Sequence, residues 1–303
     1  MRDIFVKQLI EEIKKDSSLI LITADLGFGS FDEIASDFPG NFLNVGVAEQ
    51  NMIGVASGMA MLGRKPFCYS IGNFPTLRCL EQIRNDASYH NLPVTIVGNG
   101  GGFSYGGLGV THHATEDVSI LLSIPEVTIL TPSTDLEVIN SVEYACNNPG
   151  TKYLRLDKSF INQKSNQGSL KPLEQIKQGD DLVIFCYGGI VNEAIDLSEM
   201  LKPLQVGIFT VPMLSDLNHS LILEAIKNTN HVISLEENSI NGGLGSLLAS
   251  SLLENNVSLD YFKSFGISRK FSEVVGDQNF MRKHLLIDAE SIFNKVKNVF
   301  TNF

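Results

Sequence analysis

The sequence predicts an α/β protein made of two doubly wound, mainly parallel sheet domains, the second the smaller. Three observations carry that prediction. Short apolar runs recur along the chain, among them Leu19-Ile-Leu-Ile22, Val127-Thr-Ile-Leu130 and Leu182-Val-Ile-Phe185. Continuous rather than alternating apolar runs mark strands covered on both faces. Between them lie longer segments with apolar residues at helical spacing, which is the alternation a parallel sheet needs. The rhythm breaks once, over the polar stretch Asn162-Gln-Lys-Ser-Asn-Gln-Gly-Ser169 and Pro172, and then begins again.

In order, Ile4, Phe5, Leu9, Ile10 and Ile13 share one face of an opening helix. Residues 19–22 form a strand that leaves through Asp25-Leu-Gly27. Strands follow at 42–45, 66–69 and 93–97, with helices over 49–62 and 76–89; the third strand runs into a glycine-rich loop. A strand over 127–130, stopped by Pro132, a helix over 135–147 and a strand over 153–156 complete the first domain, residues 1–160. Residues 161–180 read as a linker. The second domain, 181–303, offers strands at 182–185, 206–209 and 231–235 and helices over 191–201, from Gly242-Gly-Leu-Gly245 to 253, and over 288–299.

The formal charge of −11 argues against a nucleic-acid surface, which needs clustered Lys and Arg to displace counterions. The four cysteines form no CxxC pair and none stands near histidine at zinc-ligand spacing, so reduced, buried thiols in a cytoplasmic protein are expected. The amphipathic opening helix does not resemble a secretion signal, and no apolar run approaches the ~20 residues that span a membrane.

Chemistry concentrates in Asn44-Val-Gly-Val-Ala-Glu49-Gln-Asn-Met-Ile-Gly54, where a strand turns through glycine and a carboxylate opens an apolar helix. Taken alone, a glutamate in a first turn merely suits the positive end of the helix dipole. Its surroundings say more. Gly46-Val-Ala-Glu-Gln-Asn-Met52, Thr23-Ala-Asp-Leu26, Arg78-Cys-Leu-Glu-Gln-Ile-Arg84, Thr111-His-His-Ala-Thr-Glu-Asp117, Ser123-Ile-Pro to Pro132, Glu236-Glu-Asn to Ser246, and Gly276-Asp-Gln with Asp288-Ala-Glu occur in one order along the chain. Together they resemble the transketolase family almost end to end, as a pyrimidine-binding domain followed by the family's C-terminal domain.

That resemblance implies thiamine diphosphate as cofactor, with Glu49 as the carboxyl that hydrogen-bonds its aminopyrimidine ring. It places Phe74 as the ring's stacking surface, Ile71 and Leu77 at flanking positions that are often aromatic in the family, and Asp25 near the cofactor. His112 matches the active-site histidine that handles protons and substrate oxygens, and His113 stands where glutamine is common. Arg155 matches a position that binds the phosphate of sugar phosphates, although a strand-end arginine is as often a structural ion pair. The loop Gly98-Asn-Gly-Gly-Gly-Phe103 fails the GxGxxG pattern at Phe103; the resemblance makes it the border of the substrate channel.

Two departures matter. Gly107-Leu108 replaces an acidic pair whose aspartate reads a substrate hydroxyl, and Gly100 replaces a loop histidine. Losing these polar partners points to a less hydroxylated or modified substrate. The family's Gly-Asp-Gly segment with its downstream Asn, which anchors the diphosphate and Mg2+, has no counterpart: Gly179-Asp180-Asp181 and Gly276-Asp277-Gln278 both fail. The resemblance therefore implies a separate N-terminal subunit carrying that site, a cofactor held between chains, and an α2β2 heterotetramer. Gly54-x-x-x-Gly58 would serve either a close approach of helices at a dimer axis or packing inside one subunit. The implied reaction is ketol transfer from a ketose-like donor to an aldehyde. A 2-oxo-acid dehydrogenase or acyloin-forming β subunit, and a non-catalytic scaffold, are the alternatives.

Overall fold

The computed structural model describes residues 1–162 and 168–300. The first domain runs α1 (Arg2–Lys15), β1 (Leu19–Thr23), α2 (Asp32–Asp37), β2 (Phe42–Asn44), α3 (Glu49–Met61), β3 (Lys65–Ile71), α4 (Leu80–Gln82), β4 (Thr95–Asn99), α5 (Asp117–Leu121), β5 (Val127–Leu130), α6 (Asp135–Asn147) and β6 (Thr151–Leu156). Its six strands pair in the order β2-β1-β3-β4-β6-β5, all parallel. Every residue of β1 and β4 is buried, as the continuous apolar runs require. Phe5, Leu9, Ile10 and Ile13 of α1 face the core, the stripe their spacing predicts.

The second domain runs β7 (Glu174–Lys177), β8 (Leu182–Cys186), α7 (Val191–Met200), β9 (Val206–Thr210), α8 (His219–Ile226), β10 (His231–Ser239), α9 (Leu244–Glu254), β11 (Tyr261–Ile267), α10 (Gln278–His284) and α11 (Ala289–Val296). Its strands order as β11-β10-β8-β9-β7, parallel except for β7 against β9. The two-sheet α/β architecture is thus the one expected.

Four differences have physical causes. The stretch expected as a helix over 76–89 is a short 3-10 turn, the three-residue α4, and a π-helix over Ile83–Ser88 in which Tyr89 N donates to Arg84 O at 3.0 Å. The wider turn lets Ile83, Ala87 and Ser88 all face inward. β10 runs on to Ser239 instead of stopping at residue 235, because the polar Glu236, Glu237 and Asn238 are buried with hydrogen-bond partners. The expected linker is structured at both ends: Ile161 bridges Thr134, and β7 is the edge strand of the second sheet. Residues 163–167 of that linker, and 301–303, lie outside the described residues. β11 and α8 were not anticipated; Asn218, whose Oδ1 accepts from Leu221 N at 3.2 Å, is the cap that could have revealed α8.

The domains are bonded to each other. Thr131 N donates to Pro212 O at 2.8 Å, Ser239 N to Thr115 O at 2.7 Å, and Thr210 Oγ1 to Glu137 Oε1 at 2.5 Å. One apolar cluster holds Ile96 and Ile129 of the first sheet together with Val183 and Val232 of the second. Among the described residues, no helix is long and apolar enough to cross a membrane.

Candidate active site

Asp25 follows β1, Glu49 follows β2, Phe74 follows β3, and the loop bearing His112 follows β4, so all four lie beyond the carboxyl ends of parallel strands. Open α/β sheets gather ligand-contacting residues there. Asp25, exposed and at φ +56°, bonds to the end of β2: its N–H donates to Asn44 Oδ1 and its Oδ1 accepts from Asn44 Nδ2, both at 3.0 Å.

Glu49 is the first residue of α3 and is 2% exposed. Arg78 Nη1 donates to its Oε2 at 2.5 Å, and the arginine's own side chain is 46% exposed. The same guanidinium lies 4.8 Å from the Phe74 ring centroid, in cation–π contact, and the His112 ring meets Phe74 edge-on at 5.2 Å. Glu49, Arg78, Phe74 and His112 therefore form one continuous constellation. Phe74 is half-buried, as is Ile71, while Leu77 is 39% exposed. The Phe74 turn is fixed by Thr76 Oγ1 donating to Gly72 O at 2.6 Å and by the Cys79 thiol donating to Phe74 O at 3.4 Å. Burial pushes that thiol up to about 12, so it is inert as a nucleophile.

The residues fit an aminopyrimidine. A carboxyl buried at a helix start, a half-exposed aromatic face and apolar flanks are the chemistry such a ring needs, and the ion-pair partner of Glu49, Arg78, extends into solvent rather than into the core.

The two histidines are divided by burial. His112 is half-exposed, with Nδ1 2.9 Å from Thr111 Oγ1. His113 is 4% exposed, its Nε2 lies 3.1 Å from Gly106 O, and its ring meets Phe103 edge-on at 5.0 Å. His113 thus braces the loop and does not face outward. Asn73 clamps the same segment, its Nδ2 donating to His113 O and Thr111 O on either side of His112. Leu108 projects at 59% exposure beside a cavity of about 670 Å³ lined also by Gly107, Lys158, Gln278 and Asn279. Gly100 has φ +88°, and a Cβ there would lie 2.2 Å from the Tyr105 ring. Tyr105, whose hydroxyl accepts from Asn99 Nδ2 at 2.7 Å, occupies the room a histidine at position 100 would need.

Arg155 is a correction. It is 2% exposed, pairs through Nε with Asp117 Oδ2 at 2.9 Å, and donates through Nη2 to Ala114 O and Glu237 O at 3.0 Å each. Buried between the domains, it is a structural ion pair and faces no open cavity that would receive a phosphate. Arg78, Asn73 and Glu237 were not foreseen. The signal for Arg78 was its place in the segment 78–84; Asn73 and Glu237 carry no local signal.

The transketolase pyrimidine-binding domain matches residues 1–163 and the transketolase C-terminal domain matches residues 172–292. One of the two subunits of an apulose-4-phosphate transketolase from Actinobacillus succinogenes is 31% identical over 298 residues, covering 96% of each chain. A 6-deoxy-6-sulfo-D-fructose transketolase subunit of Clostridium sp. (strain MSTE9) is 30% identical, covering 99% of this chain and 94% of that one. A solved structure of a split-gene transketolase, an inactive β4 tetramer, superimposes with a TM-score of 0.88 at 26% identity, covering 99% of this chain and 98% of that one. With both domain families matched in order along the fold just described, the chain belongs to the transketolase family.

Proposed function

We infer that this chain is the C-terminal subunit of a split, thiamine-diphosphate-dependent transketolase that moves a two-carbon ketol unit from a ketose-like donor to an aldehyde acceptor. The observation that carries the reading is the buried carboxyl of Glu49 joined through Arg78 to Phe74 and His112 at one edge of the parallel sheet. The cofactor, when bound, supplies the nucleophilic carbon on which the ketol unit is carried. Glu49 would hold its pyrimidine ring nitrogen. That nitrogen accepts, so the carboxyl donates in its acid form, and the Arg78 contact is the one exchanged on binding. Phe74 would lie against the ring, with Ile71 and Leu77 beside it and Asp25 nearby. His112 would hold or move a proton at the substrate oxygens, while His113 keeps the loop's shape. Leu108, where the family reads a hydroxyl, favours a substrate modified at that point.

A partner subunit would supply the diphosphate and Mg2+ site, in an α2β2 assembly. The outer face of α3 supports that need. Gly54 and Gly58 are exposed, and a Cβ on either would meet nothing within 4 Å, so packing inside one subunit does not account for them. Val47 is 76% and Leu62 87% exposed near the two ends of the same helix. Four free, buried cysteines suit a cytoplasmic location.

Calorimetry with thiamine diphosphate and Mg2+ tests the reading, on this chain alone and on the chain co-expressed with its neighbouring gene product. Tight binding by the pair alone is expected. Tight binding by the single chain would refute the shared site, and no binding by either would leave a scaffold.

A further inference from the structure

The loop bearing His112 closes on itself at a neck, where Gly102 N donates to Ala114 O at 2.8 Å and Ala114 N returns the bond at 3.0 Å. What grips that neck belongs largely to the other domain. Glu237, on β10 and 1% exposed, accepts Phe103 N at 2.5 Å and Gln278 Nε2 at 2.9 Å on Oε1, and Arg282 Nε at 2.5 Å on Oε2. The Glu237 carbonyl takes Arg155 Nη2, whose second bond goes to Ala114 O. Gln278 also donates to Asp157 Oδ1 at 3.1 Å, and Asp157 Oδ1 accepts from Ser104 Oγ at 2.8 Å.

We propose that Glu237, a residue of the C-terminal domain, is a positioning residue for His112, setting the loop at 100–114 through the Phe103 N–H. An ion pair with Arg282 would need only one of the carboxylate oxygens. The other is spent on a backbone amide of the first domain, and the approach depends on glycine: Gly102 sits at φ +59°, and a Cβ there would lie 2.4 Å from Glu237 Oε1. From Phe103 the constraint passes by ring contact to His113, whose carbonyl is gripped by Asn73 from the turn after β3. His112 is thus fixed from the first domain by Asn73 and from the second by Glu237. The constellation around Glu49 is built from the first domain, yet the C-terminal domain sets the geometry of the group that meets substrate. This inference rests on the reading that the loop borders the substrate channel.

Glu237→Asp withdraws the carboxylate from Phe103 N while keeping a charge for Arg282, and Gly102→Ala separates the same two groups from the loop side with the ion pair intact. Each variant is assembled with the partner subunit. Amide hydrogen exchange over residues 103–113 should quicken by roughly tenfold, and KM for the acceptor should rise by about fivefold with kcat within about twofold. Cofactor affinity should not change. Unchanged exchange across this loop in both variants overturns the positioning role, as does a uniform loss of stability in Glu237→Asp with Gly102→Ala silent. Failure of the unmodified pair to bind thiamine diphosphate would sink the reaction proposed above, and the exchange measurement, which needs no turnover, would still decide whether Glu237 holds the loop.

Discussion

Arg155 makes its ion pair with Asp117 at 2% and 0% exposure, whereas Arg78 reaches Glu49 with almost half of its side chain in solvent. Removing one partner of a buried pair strands the other charge and costs about 3–5 kcal/mol, so Arg155 is committed to the fold. An exposed arginine loses far less on leaving its partner, which makes the Arg78 contact exchangeable. Glu49→Gln should therefore keep the thermal midpoint and the assembly but lower kcat by at least about a hundredfold, because an amide is a poor acid for a ring nitrogen. Steady-state turnover of the assembled pair at saturating cofactor checks this; near-normal kcat would remove Glu49 from the mechanism. Glu49 was legible in the sequence because its motif is local. Its partner was not, because Glu49 and Arg78 stand 29 positions apart and meet only once β3 lies beside β1.

At the level of elements, α6 shows a cap used twice. Thr134 Oγ1 accepts Glu137 N at 3.0 Å, and Glu137 Oε2 accepts Ser133 N at 2.5 Å and Thr134 N at 3.2 Å, a reciprocal capping box. The same carboxyl takes the Thr210 hydroxyl from β9 across the domain boundary. Burial pushes the Glu137 carboxyl up to about 7 from 4.5, so the folded chain holds that proton more tightly than the unfolded one. Its contribution is full below about pH 4.5 and is lost as pH rises through about 7, on the order of 3 kcal/mol in all. Glu236, also pushed up to about 7 by burial, acts in the same window. Glu137→Gln, which mimics the neutral form, should gain thermal midpoint relative to the parent as pH goes from 5 to 8. A constant offset across that range would contradict the assignment. The bounds of β5 and α6 agree with the sequence because apolar run, Pro132 and cap coincide there. β10 ran past its expected end because burial of Glu236 and Glu237 is decided by partners far away in sequence, which periodicity does not register.

Taken whole, the molecule shows a first domain whose site residues all open toward one face, with apolar and small residues left uncovered beside them. Gly58→Leu should raise the thermal midpoint of the isolated chain slightly, since leucine is a better helix former by about 0.8 kcal/mol and meets no neighbour there. The same substitution should abolish co-purification with the partner subunit. Retained assembly would free the outer face of α3 from any interface. The glycine spacing was readable from the chain, but not which way it faced; only the helix's packing shows that Met52, Ile53, Ala56 and Ala60 turn inward and leave the glycines out. The loop's dependence on Glu237 was invisible for a related reason, because its contacts cross from one domain to the other.

β7 carries a further consequence. It precedes β8 in the chain but covers the far edge of the second sheet, beyond β9. A naked parallel edge invites pairing with other chains. A C-terminal half severed at residue 181 would bare β9 along its length and be sticky, while one begun ahead of Glu174 brings its own cover. The polar stretch between the domains is thus a tether whose last few residues double as a guard rail, and the boundary of the second folding unit lies upstream of where its hydrophobic core begins.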